Sequence, residues 1–261
     1  MITKQELFDL ARFNHFKPHQ QEKHYMQTII LNSIYSTVVD ELVFKGGTCL
    51  LFFYGLNRFS EDLDFTMIKE FNTEKMISNI KNDLENLGIT CKISKSRENK
   101  TSLSFKIAAQ GPLFNKEIET CVVKIDISKR EEVYGSNIKE CKTNYKEIVG
   151  FTLNVMSEKE ILAEKVRALI TRNQARDLFD LFYLCSKAVD IDLDLINNKL
   201  AYYHKSFNKK DFEKAVQEKK SIWLSELSPF VMGEIPNFNI VKKFVLQKMG
   251  MSRTTGHRSV A

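Results

Sequence analysis

The chain is poor in cysteine, proline and glycine, and each shortage excludes a class of protein. Its five cysteines (Cys49, Cys91, Cys121, Cys141 and Cys185) are odd in number, scattered, and never spaced as C-x-x-C. A disulfide framework and a zinc knuckle are thereby excluded, and a reducing compartment is expected. Four prolines and ten glycines in 261 residues are too few for a disordered chain or a turn-rich β-sandwich. No uncharged run approaches the ~20 residues that span a bilayer. The polar start Met-Ile-Thr-Lys-Gln-Glu lacks the apolar core of a signal peptide. A cytoplasmic protein with no membrane partner is expected. The P-loop G-x-x-x-x-G-K-[ST], the dinucleotide G-x-G-x-x-G and the zinc-protease H-E-x-x-H are missing too. His15, His19 and His24 are near neighbours, but Pro18 interrupts helical pairing among them, so they are not read as a metal site.

What is there is ordinary in bulk: hydrophobic content 43%, charged content 28%, formal charge +6 and a pI near 8.9. The first two indicate a globular protein with a real core, and the mild basicity suits a polyanionic partner. Thr3 with Glu6 is a capping box that opens a short helix, and Pro18 starts a second running toward Asp40. Runs at 41–45, 63–68, 89–95, 101–109 and 118–128 read as strands. Helical patterns at 48–54 and 73–87 end at Gly55 and Gly88. Strands interrupted by helices predict an α+β domain. Residues 129–146 are polar and weakly patterned, and 152–156 reads as one more strand or a linker. Ser157 with Glu160 is a second capping box, and helices follow near 158–171, 174–188, 193–203, 210–219 and 239–248. The expected organisation is an α+β domain over 1–150, a helical domain over 151–249 and a frayed polar tail over 250–261.

The richest chemistry lies between residues 44 and 66. Gly46-Gly47-Thr48 is a glycine turn ahead of a helix, where backbone N–H groups can meet phosphate oxygens and Thr48 can add a hydroxyl. Asp62 and Asp64 stand two positions apart, so in a strand both point one way while Leu63 and Phe65 face the core. Such a pair can hold Mg²⁺, which prefers carboxylate and phosphate oxygens. Two such ions can activate an attacking hydroxyl and neutralise a leaving pyrophosphate. In the alternating run 123–128, Asp126 shares a face with Lys124 and Ser128, where it would complete the metal site or serve as base. Farther on, Lys165, Arg172 and Arg176 recur at helical spacing, with Asp177 and Asp180 three apart. Lys165 or Arg172 can offset triphosphate charge, with either aspartate orienting the cation. Each piece alone also reads as ordinary surface: solvated acids on a strand, a plain turn, a salt-bridged helix. Lys209-Lys210 and Lys219-Lys220 read as solvated faces, and Trp223 with the phenylalanines as core.

Taken in order, five segments carry a resemblance. They are Lys45-Gly46-Gly47-Thr48-x-Leu50, Arg58-x-Ser60-x-Asp62-Leu63-Asp64-Phe65, Ile125-Asp126-Ile127, Glu164-Lys165-x-x-Ala168-Leu169-x-x-Arg172 and Arg176-Asp177-x-x-Asp180-Leu181. Together the chain resembles the AbiEii/AbiGii family of nucleotidyltransferase-like toxins, the toxin halves of type IV toxin–antitoxin and abortive-infection (phage-defence) systems. The resemblance implies a polymerase-β-like nucleotidyltransferase fold, with a small mixed sheet and a helical C-terminal part. It implies an enzyme that uses a nucleoside triphosphate (NTP) with Mg²⁺, up to two ions. By position it implies Asp62 and Asp64 as the metal-binding pair, to which the alternation of 123–128 adds Asp126 as a third expected ligand, and Lys165 with Asp177 or Asp180 as further catalytic residues. Nucleotide binding falls to Lys45, Gly46, Gly47, Thr48, Arg58, Ser60 and Arg172. Some members add nucleotides to the 3′ acceptor end of tRNA and so stop translation. Transfer of a nucleoside monophosphate to RNA, tRNA above all, is therefore the expected reaction, with a cognate antitoxin as a further partner. Two alternatives stay open: the same chemistry on a protein target, and a non-catalytic nucleotide- or nucleic-acid-binding module. A nuclease is disfavoured, because Lys124-Ile125-Asp126 has its lysine ahead of the acid.

Overall fold

A computed structural model describes residues 1–250. Contacts divide the chain into two compact units, Met1–Glu160 and a second that begins at Ile161. Beyond Gly250, the expected tail lies outside the described residues.

The first unit is built on one mixed sheet. Its elements are α1 (Lys4–Phe13), α2 (Pro18–Tyr35), β1 (Leu42–Lys45), α3 (Gly46–Tyr54), β2 (Leu63–Met67), α4 (Thr73–Asn86), β3 (Cys91–Glu98), β4 (Ser102–Ala109), β5 (Cys121–Ser128), β6 (Ser136–Cys141) and β7 (Phe151–Met156). The strand order is β3-β4-β5-β2-β1-β7-β6. Pairs β2·β5 and β1·β7 are parallel and the others antiparallel. Alternation decides which face is buried. Val123, Ile125 and Ile127 of β5, Leu103, Phe105 and Ile107 of β4, and Leu63 and Phe65 of β2 all point inward. Helix α2 packs on β5 and α4. Thirteen of its eighteen residues are buried, which makes it a central helix rather than a surface one.

Several local expectations meet their elements. The Thr3–Glu6 capping box forms at α1, and Gly55 and Gly88 both take a positive φ beyond their helices. Others shift. Helix α2 stops at Tyr35, not near Asp40, where Ser36 and Thr37 turn their hydroxyls back onto the carbonyls of Ser33 and Ile34. The Gly46-Gly47 pair is the opening of α3 rather than a turn ahead of it. The polar stretch 129–146 contains β6, an edge strand whose only fully covered residue is Cys141, so it shows no period of two. Residues 151–156 are a strand and not a linker: β7 pairs with β6 along its length and touches β1. The first unit therefore runs past residue 150 to Glu160, whose carboxylate accepts the backbone N–H groups of Tyr134 and Gly135 at 2.9 and 2.6 Å.

The second unit is helical. Helix α5 (Glu158–Thr171) leads into it, followed by α6 (Ala175–Ser186), α7 (Leu193–Ala201), α8 (Lys209–Glu218), α9 (Trp223–Leu227) and α10 (Phe238–Lys248). Asp192, Asn208 and Asn237 cap α7, α8 and α10 through their side chains. Trp223 is buried against Phe179 and Phe238, and its indole N–H donates to the Pro236 carbonyl at 2.9 Å.

Candidate active site

Sheet register lines the acids up. Strand β2 runs parallel to β5 with Asp64 opposite Asp126, and β1 sets Lys45 opposite Asp64. On the other side β4 sets Ser104 opposite Asp126 and Lys106 opposite Lys124. Paired residues share a face, so one rung reads Ser104, Asp126, Asp64, Lys45. The next rung reads Lys106, Lys124 and, one step ahead of β2, Asp62. Leu63 and Phe65 are fully buried on the opposite face, as the alternation predicts.

A cation of the protein itself sits in this field. Lys124 Nζ lies 2.5 Å from Asp126 Oδ2. Burial works to lower the Lys124 pKa, but the hydrogen bond to Asp126 and the charges of Asp126, Asp62 and Asp64 outweigh it and hold the pKa above the ordinary lysine value. Asp62 lies at the exposed rim. Desolvation by the surrounding chain pushes its carboxyl above the usual carboxylate range; Asp126 and Glu61 add to the push, while Lys124 and Lys23 oppose it. Hard carboxylate oxygens on one face, with an ammonium held among them, have the chemistry of a Mg²⁺ donor set. Among the described residues no three or more His, Cys, Asp or Glu side chains are drawn together enough to hold an ion.

The start of α3 meets this face. Gly46 has φ +78°, and a Cβ there would collide with Asp64 Oδ2. A Cβ on Gly47 would stand 2.5 Å from Arg58 Nη2 and 2.8 Å from Ser60 Oγ. Both glycines are therefore required by close approach. The approach brings a carboxylate, a guanidinium and a hydroxyl to the first N–H groups of a helix, where the dipole favours anions. Arg58 and Ser60 are both nearly fully buried.

Two expected nucleotide contacts are engaged elsewhere. Thr48 is fully buried, and its hydroxyl donates to the backbone carbonyl of Asp62 rather than facing outward. Lys45 Nζ pairs with Glu131 Oε2 at 2.7 Å, and both side chains are covered. Sequence reasoning also missed Gln27, whose amide donates to the carbonyls of Ser60 and Glu61, both at 3.0 Å. Together Thr48 and Gln27 clamp the backbone that presents Asp62. The available signal was a glutamine between Met26 and the apolar run Ile29-Ile30-Leu31, a polar group that needs a partner when buried. The alternation of β5 had already put Lys124 beside Asp126, whereas Glu131 gave no signal, because its pairing with Lys45 is set by a loop.

The second unit holds the other predicted cluster. Lys165 Nζ lies 2.7 Å from Asp180 Oδ2 and 3.1 Å from Asp177 Oδ1. Arg172 forms a fork on Asp177, with Nε and Nη2 at 2.7 and 2.9 Å. Burial would raise the Asp177 pKa, but the charges of Lys165 and Arg172 prevail and hold it well below the carboxylate range. The four formal charges cancel, and Lys165, Asp177 and Asp180 are all buried. Arg176 stacks over Phe230 instead of joining them. Lys219 departs from the expected solvated face: it is 1% exposed, and its ammonium donates to Arg172 O and Asn173 Oδ1. That contact also occupies Asn173, so the residue before α6 is Gln174, with no side-chain cap.

Comparison with known proteins supplies the family and the fold. The family described as "Nucleotidyl transferase AbiEii toxin, Type IV TA system" matches residues 29–243. No curated protein sequence gave a significant match. Among solved structures, MenT4, a nucleotidyltransferase toxin from Mycobacterium tuberculosis H37Rv, superposes with a TM-score of 0.67 at 17% identity, covering 96% of this chain and 89% of that one. JHP933 from Helicobacter pylori superposes with a TM-score of 0.60 at 23% identity, covering 89% of each. At these identities the structures speak for the fold, while the family match spans most of the sequence and both predicted clusters. The chain belongs to the AbiEii nucleotidyl transferase toxin family of type IV toxin–antitoxin systems, and it is a nucleotidyltransferase.

Proposed function

We propose that this toxin transfers a nucleoside monophosphate from an NTP to the 3′ hydroxyl of RNA, the tRNA acceptor end in particular, and thereby blocks translation in the cytoplasm. The observation that carries the reading is the Asp64–Asp126 rung meeting the Gly46–Gly47 start of α3 beside Arg58 and Ser60. In this reading the triphosphate oxygens are received by the first N–H groups of α3, with Arg58 and Ser60 as charged and polar partners. Asp62, Asp64 and Asp126 would hold Mg²⁺, which would supply Lewis-acid activation of the acceptor hydroxyl and charge neutralisation for pyrophosphate. Asp126, opposite Asp64 on the neighbouring strand, is also placed to take the acceptor proton as base. Thr48 and Gln27 position Asp62 through its backbone. Lys165, Arg172, Asp177 and Asp180 are retained as a second required cluster. An antitoxin is the expected protein partner.

The test is incubation of the purified chain with each of the four labelled NTPs, Mg²⁺ and total tRNA. Label should enter RNA with at least one NTP, and Asp64→Asn should lower the rate by about 10²-fold or more. No label in RNA with any NTP would overturn the reading, and label in a protein band would move the acceptor to a protein side chain.

A further inference from the structure

The sheet face that carries the acids continues past them into a band of cations. Lys106 of β4 stands opposite Lys124, and Ser94 of β3 stands opposite Lys106. A bulge between Lys95 and Arg97 then returns Arg97 to the same face, opposite Ser104 and in line with Asp126 and Asp64. Lys92 lies farther along β3, opposite Ala108. Lys92, Ser94, Arg97 and Lys106 are exposed. Lys92, Arg97 and Lys106 have no carboxylate within ion-pair distance among the described residues. Lys95 is the contrast: pointing to the other face, it is paired with Glu74 and Glu98.

Edge protection explains part of this, since lysines on an outer strand discourage strand-to-strand aggregation. It does not explain Lys106, which lies on β4, inside the sheet between β3 and β5. Strands sit about 4.8 Å apart, so Lys106 and Arg97 fall roughly one and two strand spacings from the acid column of β5. That is the reach of the backbone phosphates just behind a terminal hydroxyl. Hydroxyls of Ser94 and Ser102 are interleaved with the cations, and no aromatic ring lies on this face of β3, β4 or β5. Such a surface can hold phosphates and ribose but cannot stack bases.

We infer that the exposed face of β3 and β4, marked by Lys92, Arg97 and Lys106, is a docking track for the phosphate backbone of a single-stranded nucleic-acid end, leading its terminal hydroxyl to Asp126 and Asp64. The inference rests on the nucleotidyl-transfer reading above and adds where the acceptor lies and how it is read. Binding is sequence-tolerant and strongly salt-dependent.

The experiment measures binding of a fluorescent, mixed-sequence single-stranded RNA to the full chain at several salt concentrations. Lys92→Ala, Arg97→Ala and Lys106→Ala are combined in one variant. Lys214→Ala, Lys220→Ala and Lys243→Ala, also exposed, are combined in a second that loses the same net charge. The track variant should bind RNA at least about tenfold more weakly, with the log–log salt slope shallower by about 2, near 0.7 for each lost phosphate contact. The control variant should keep the wild-type slope, and both should bind NTP as the wild type does. Equal weakening in both variants, or no weakening in the track variant, overturns the proposal. So does tight wild-type binding of polyglutamate that competes with the RNA. If the slope changes as stated but no NTP yields labelled RNA, the track stands and the transfer reading fails. If label is transferred and the track variant keeps the wild-type KM for RNA, the transfer reading stands and the track fails.

Discussion

Lys124 sets the electrostatics of the acid face. Its ammonium compensates three carboxylates that would otherwise repel one another, and a divalent ion held there as proposed would compete with it. The pair is about one-third exposed on each side, with side-chain exposures of 39% and 35%, so its strength is that of a screened ion pair. Lys124→Met should therefore tighten Mn²⁺ binding, followed by electron paramagnetic resonance, by about twofold to fivefold. Unchanged or weaker binding would mean that the lysine does not compete for the site. His24 makes a second prediction. It stacks on Phe52 at 4.4 Å, and Nδ1 is 2.8 Å from the Tyr145 hydroxyl, which already accepts from Gln21. The Tyr145 proton is thus directed at a neutral imidazole. Burial pulls the His24 pKa down to about 4, below its unfolded value. The unfolded chain takes up the proton first, so this stability is complete above about pH 6.5 and drains away as pH falls toward 4, by at most about 1.4 kcal/mol per pH unit. Urea midpoints at pH 7, 6 and 5 should fall less steeply for His24→Phe than for the wild type.

Among the elements, α3 and the α5–α6 pair show how differently local sequence and context contribute. The Ser157 capping position and the helical period of 158–171 were readable, and α5 follows them. What α5 and α6 do together was not readable, because charges that look like a solvated surface are folded into a neutral cluster in which Lys165, Asp177 and Asp180 are buried and Arg172 reaches solvent. Removing one cation leaves buried carboxylates undercompensated. Lys165→Ala should destabilise the chain by about 3–5 kcal/mol, seen as a lower urea midpoint. A midpoint equal to wild type would mean that Lys165 is not needed for the cluster's charge balance. The same measurement separates an unfolded variant from one that has lost only activity. In α3, Gly46-Gly47 was visible as a phosphate-binding signal, yet Thr48 and Lys45 were assigned outward roles that the packing gives to Asp62 O and Glu131. A side chain's partner depends on which strand or loop crosses above it, and that is not encoded within a few residues.

For the molecule as a whole, ligand binding should be linked to stability. If the glycine start of α3 and the acid rung bind one NTP with Mg²⁺, that ligand at about a hundred times its Kd should raise unfolding free energy by about 2.7 kcal/mol. Asp64→Asn should lose most of this gain, and a variant that responds as the wild type does would detach Asp64 from the ligand. Helix starts, glycine stops, the alternation of β5 and the five ordered segments were all present in the linear chain, since each depends on neighbours within one or two turns or on a two-residue pleat. They sufficed for an α+β nucleotidyltransferase toxin, and they singled out the acids proposed for its site. The opposition of Asp64 to Asp126, the insertion of Lys124 between acids, the clamp made by Gln27 and the cation band of β3 and β4 arose only on folding. Each follows from the register of strands remote in sequence, and that register is selected by burial of Leu63, Phe65, Ile125 and Ile127 on the far face of the sheet.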